Sequence, residues 1–117
     1  TIARAYVDIV YAPECLALYR VIIAELRHFP ELGRLTYDSG AIPIIDAISR
    51  YLRGVGSKGD VRFTKVKEST LLLIGLLTGD EFHRCLLGLA TTLSTRERGQ
   101  LVKRAVECFL NAHREHG

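Results

Sequence analysis

From Ile2 to Leu110, apolar residues return every three or four positions, and nowhere do they alternate for long enough to describe a strand. A chain written with that period buries its apolar surface by packing helix on helix, so the expected fold is all-α. The interruptions set the number of elements. Ile2, Ala5, Tyr6, Ile9 and Val10 share one helical face that stops at Ala12-Pro13, where proline cannot extend the hydrogen-bond ladder. Pro13 suits the opening of a second helix, predicted to run from Glu14 to His28, with its acid in the first turn and Arg27 and His28 in the last. The middle of that helix (Cys15, Leu16, Leu18, Tyr19, Val21, Ile22, Ile23, Leu26) is apolar on almost every side, which predicts a central post surrounded by other helices.

Pro30 opens a short helix to about Asp38, and Ser39-Gly40 permits a kink before the stripe Ala41, Ile44, Ile45, Ile48, Leu52 and Val55. One bent helix and two short ones fit equally. Gly54, Gly56, Ser57, Lys58, Gly59 and Asp60 form the clearest loop, and Val61-Arg62-Phe63 is the one short β-like piece. Thr64 is placed to cap the next helix, which carries Leu71, Leu72, Gly75, Gly79, Phe82 and Leu86 and is closed by Gly88. Ser94-Thr95-Arg96-Glu97 has the capping-box spacing ahead of a final amphipathic helix with Leu101, Val102, Ala105, Val106, Phe109 and Leu110 on one face. The expectation is a single all-α domain over residues 1–117 with about five helices.

At 48% apolar and 25% charged residues, the chain is too apolar for disorder and long enough for a core. The net charge of +3 is spread over interleaved acids and bases, leaving no basic stripe for a nucleic-acid backbone. Cys15, Cys85 and Cys108, odd in number and set in apolar helical patterns, read as reduced core thiols of a cytoplasmic protein. The longest uncharged apolar run, Thr70 to Gly79, is about half the ~20 residues of a bilayer crossing. Thr1 lies inside a helical pattern and methionine is absent, so the chain is expected to be part of a longer product.

No residues recommend an enzyme. Ser39, Ser49, Ser57, Ser69 and Ser94 fall at caps, in loops or on polar faces without a nucleophile elbow. His113 and His116 read as a solvated helix end, and Asp80, Glu81 and His83 as a charged break in an apolar face, since no third metal ligand has suitable spacing. Arg20 and Glu25 interrupt the central post and are expected to pair with Asp46, Arg50 or Arg84, or to orient a ligand's polar group. Tyr19 and Tyr37, apolar bodies with polar tips, suit a cavity wall or an ordinary core. Gly75 and Gly79, four apart, let another helix approach closely, either the last helix of this chain or one from a second copy.

The ordered series Ala12-Pro13-Glu14, Leu18-Tyr19-Arg20, Ala24-Glu25, Arg27-His28-Phe29-Pro30-Glu31-Leu32-Gly33, Tyr51-Leu52-Arg53, Gly75-Leu76-Leu77-Thr78-Gly79-Asp80, Leu86-Leu87-Gly88-Leu89 and Phe109-Leu110 spans nearly the whole chain. It resembles the C-terminal domain of TetR/AcrR-family transcriptional regulators, especially those with an AcrR-like or AefR-like sensor half. The resemblance implies a homodimer with no cofactor. Its first helices would enclose a cavity for a small apolar or amphipathic effector, and its last two would form a four-helix dimer bundle.

By position the resemblance puts Tyr6, Val10, Leu18, Tyr19, Ile22, Tyr37, Ile44, Ile48 and Leu72 near the cavity. It puts Leu71, Gly75, Gly79, Phe82, Leu86, Leu101, Ala105, Val106 and Phe109 at the dimer seam. Ligand binding in such regulators shifts the helix joining sensor to helix-turn-helix and spreads the two reading heads. This chain carries no helix-turn-helix, so operator DNA would be met only through an N-terminal domain absent from it. The stretch Asp60 to Lys65 also departs from the family pattern, lacking the acidic cap and proline often found there. A helical homodimerisation module with a filled core is the alternative.

Overall fold

A computed structural model describes residues 1–56 and 63–114. It contains seven α-helices: α1 (Ile2–Val10), α2 (Pro13–Glu25), α3 (Glu31–Thr36), α4 (Ile42–Gly56), α5 (Val66–Leu77), α6 (Asp80–Leu86) and α7 (Thr95–His113). A π-helical turn, Tyr37–Ala41, carries α3 directly into α4, so the kink expected at Ser39-Gly40 is a widened turn within one continuous bent helix. No strand occurs among the described residues. Val61 and Arg62 of the β-like piece, the Ser57 to Asp60 part of the loop, and His116 lie outside them; Phe63 is described and is not in a strand.

Local chemistry accounts for the helix ends. Pro13 occupies the first turn of α2, and the Ser94–Glu97 capping box opens α7 with both reciprocal hydrogen bonds present. After α6, Gly88 takes φ +78° while its N–H donates to Cys85 O and that of Leu89 to Arg84 O, the Schellman arrangement that closes a helix. Several boundaries differ from expectation: α2 ends at Glu25, not His28, and α4 continues through Gly54 to Gly56, which were expected in the loop. Lys65, not Thr64, holds the N-cap position of α5, with no side-chain cap. The single helix expected through Leu86 is two, because the Thr78 hydroxyl donates to Ile74 O at 2.7 Å and Gly79 (ψ −122°) leaves helical geometry. With that break and the short α3, the helices exceed the five expected.

The core gathers Val7 and Tyr11 from the end of α1, Leu16 from α2, Ile48 and Leu52 from α4, Leu73 and Leu77 from α5, Cys85 from α6, and Leu101, Ala105 and Phe109 from α7. Each large apolar side chain removed from water here contributes ~1.5–3 kcal/mol. Buried hydroxyls are paired: Tyr11 Oη donates to Leu77 O at 2.7 Å, and Ser49 Oγ and Thr70 Oγ1 lie 2.9 Å apart. Arg98 and Thr92 donate to Tyr11 O, fastening the segment before α7 to the end of α1. Ser49 and Ser69, read from the sequence as surface serines, are buried in these links, Ser69 bonding His113 Nε2 at 2.8 Å. His113 is therefore no solvated helix end; its ring also packs on Phe63 and Phe109.

The molecule measures 52 × 32 × 18 Å, so its shortest axis is under two helix diameters. Few helices can be enclosed on all sides in such a slab, and α2 is not the central post its composition suggests. Only Leu16 of α2 is buried; Leu18, Tyr19, Val21 and Ile23 are 41–60% exposed. On so open a helix, Arg20 and Glu25 have no need of the salt bridges expected of them. Arg20 donates instead to the carbonyls of Cys85 and Leu86 at the end of α6, and Glu25 makes no ion pair among the described residues. The cysteines are free, but only Cys85 is buried; Cys15 is half-buried and Cys108 exposed. No helix among the described residues is long and apolar enough to cross a membrane.

Candidate functional site

A cavity of about 440 Å³ opens where α1, α2, the π-turn, α4, α5 and α6 converge. Helical spacing builds its wall. Tyr6 and Val10 are one turn apart on α1; Cys15, Leu18, Tyr19 and Ile22 form a stripe along α2; Thr36, Tyr37, Gly40 and Ala41 line the widened turn. Ile44 and Ile45 continue from α4, Leu71, Ile74 and Thr78 from α5, and Phe82 closes the far end from α6. The volume falls within the range of small-molecule sites.

None of the lining residues is charged. Polarity comes from hydroxyls and one thiol, and the hydroxyls of Tyr6, Tyr19, Tyr37 and Thr36 make no hydrogen bond among the described residues. They are available to a bound molecule. Burial pushes the Tyr6 phenol up to about 12, with smaller effects from Cys15 and Tyr19, so it remains a neutral donor and acceptor across the physiological range. Tyr19 meets Phe82 edge-on at 5.8 Å between ring centroids, and Phe82 meets Tyr11 likewise at 5.7 Å, fixing the aromatic end of the wall.

Of the residues expected at the cavity, Tyr6, Val10, Leu18, Tyr19, Ile22, Tyr37 and Ile44 line it. Ile48 is in the core at 2% exposure, and Leu72 is 47% exposed and off the wall. Leu71 and Phe82, expected at the seam, line the cavity instead. Sequence reasoning missed Cys15, Thr36, Gly40, Ala41, Ile45, Ile74 and Thr78; Cys15 sits one helical turn before Leu18 and Tyr19, a spacing that could have found it.

The other seam residues divide between surface and core. Gly75 and Gly79 are exposed on α5 and just beyond it, and a Cβ built on Gly75 would meet nothing within 4 Å, so no helix of this chain fills that groove. Leu86 and Val106 are half-buried. Leu101, Ala105 and Phe109 are 2–3% exposed in the chain's own core, where α7 packs against α1 and α5. Asp80 pairs with Arg84 at 2.9 Å and Glu81 with Arg104, leaving His83 exposed beside them. Among the described residues no three metal-ligating side chains lie together.

Residues 1–115 match a family model described as the C-terminal domain of AefR-like transcriptional repressors. The fold is also similar to a crystal structure described as a TetR-family transcriptional regulator from Mesorhizobium loti, with a TM-score of 0.80 at 22% sequence identity. The similarity covers 97% of this chain and 56% of that one, so the chain spans little more than half of its structural relative. No curated protein matches the chain by sequence at a significant level.

Proposed function

Because the chain belongs to the family of AefR-like transcriptional repressor C-terminal domains, we propose that it is the effector-sensing and dimerising part of a TetR-type repressor. The observation that carries this reading is the cavity of about 440 Å³ with no charged residue on its wall. An ion entering it would exchange water for an apolar surface with no countercharge, at a cost of several kcal/mol. A small, uncharged, mainly apolar effector would lose little, and its polar atoms could pair with the free hydroxyls of Tyr6, Tyr19, Tyr37 and Thr36. Since α1 and α2 both contribute to the wall, a bound effector would fix their relative position. In the full-length repressor that restraint would be felt by the DNA-reading heads, lowering operator affinity. Such a regulator would act in the cytoplasm.

Dimerisation in this reading uses the exposed face of α5 carrying Leu72 and Gly75, together with the neighbouring exposed face of α7 around Cys108 and Ala112. Glycine at position 75 leaves room for a helix of the second copy.

Three probes with one ring system and different charge test the sensing claim: 2-naphthol, 2-naphthoate and protonated 2-naphthylmethylamine. Naphthol should raise the melting temperature in a concentration-dependent way, and the two ions should not. If none of the three shifts melting, or the ions act as strongly as naphthol, the reading is wrong.

A further inference from the structure

A second concavity, of about 310 Å³, lies against α4 and the start of α5, lined by Ile45, Asp46, Ser49, Arg50, Arg53 and Lys67. Three cationic side chains and one carboxylate leave it with an excess of two positive charges (3 − 1 = 2). Arg50, Arg53 and Lys67 form no ion pair or hydrogen bond among the described residues, and Asp46, one turn before Arg50, does not neutralise it. Five arginines elsewhere, Arg4, Arg34, Arg84, Arg98 and Arg104, each hold a carboxylate; Arg27 and Arg96 are unpaired among the described residues but stand singly, whereas here three cations share one concavity. Collecting like charges in one groove without counter-ions costs Coulomb energy that an anion would relieve.

Two further features favour an anion. Lys67 lies in the first turn of α5, a twelve-residue helix with no side-chain cap, so the positive end of the helix dipole is close to the groove, although Glu68 in the same turn is not among the lining residues. Ser49, only 5% exposed, presents a fixed hydroxyl on the groove wall through its bond to Thr70. We propose that this groove is a binding site for a phosphate group, carried by a phosphomonoester or present as inorganic phosphate. A dianion matches the excess charge, the guanidinium groups of Arg50 and Arg53 offer forked donors, and Lys67 supplies a point charge. The three cationic side chains line one concavity of about 310 Å³, a size that suits a single phosphate group. Ile45 lines this groove and the apolar cavity alike, so α4 is a wall common to both.

The test is calorimetric titration of the 117-residue chain with inorganic phosphate and with glycerol 3-phosphate, at constant ionic strength against chloride. One saturable site per chain is expected. Arg50→Gln combined with Arg53→Gln should weaken binding by about tenfold or more. Asp46→Asn should tighten it several-fold, a change of opposite sign that damage to the fold does not produce. All three positions are exposed, so the variants should fold, as circular dichroism would check. Tighter binding of the ester assigns the site to an organic phosphate and equal binding to the free ion; both uphold it. No saturable binding of either anion, or affinity unchanged in the double variant, overturns it.

Discussion

Glu97 contributes to the fold through its charge state. Its carboxylate accepts the Ser94 backbone N–H, and that bond, helped by the Ser94 side chain, holds the acid below the ordinary glutamate range, while the Ser94 hydroxyl accepts the Glu97 N–H to complete the cap. A group with a lowered folded value adds stability above its unfolded value, ~4.3, and loses that contribution as pH falls through the folded one. The melting temperature should therefore drop as pH is lowered below about 4, and the drop should be shallower in Glu97→Gln; identical acid profiles would contradict the role given to this cap. Ser94 and Glu97 were legible because four consecutive residues contain the whole motif. Tyr11, whose hydroxyl reaches Leu77 O across 66 positions, and Arg20, which reaches the end of α6, were not, since each depends on where a distant helix end comes to lie.

Helix starts marked by proline or a capping box were readable, and so was the closure at Gly88, because each rests on local backbone chemistry. The division between α5 and α6 was hidden by an apolar period that continues from Leu73 and Leu77 to Cys85, even though the backbone leaves the helix at Gly79. What covers the apolar face of α7 was not legible for a related reason. An amphipathic stripe shows that Leu101, Ala105 and Phe109 are covered, but not whether this chain or a second copy covers them. The proposed seam takes the exposed α5 surface of Leu72 and Gly75 together with the α7 face around Cys108 and Ala112. Light scattering should give twice the chain mass for the wild type and the monomer mass for Gly75→Glu, since the new carboxylate would be buried unpaired in the seam. A wild-type monomer at high concentration, or a variant that still dimerises, would exclude this face.

A molecule 18 Å thick cannot enclose a central helix, and this explains why a helix as apolar as α2 remains largely exposed. A stripe of α2 and the widened turn at Tyr37–Ala41 each supply part of the cavity wall. The all-α class was legible from periodicity, and the family resemblance named seven of the sixteen residues on the cavity wall. The contribution of Gly40 and Ala41 was not, because a π-turn re-aims residues that an α-helical register would direct elsewhere.

Filling the cavity tests its role most directly. Gly40 lines it with a backbone that accepts a side chain, and a Cβ there would meet nothing within 4 Å. Gly40→Leu should leave the melting temperature equal to or above that of the wild type and weaken 2-naphthol binding about tenfold or more. Undiminished naphthol binding, or a loss of ~1–3 kcal/mol in stability such as overpacking a filled core produces, would contradict an open effector cavity.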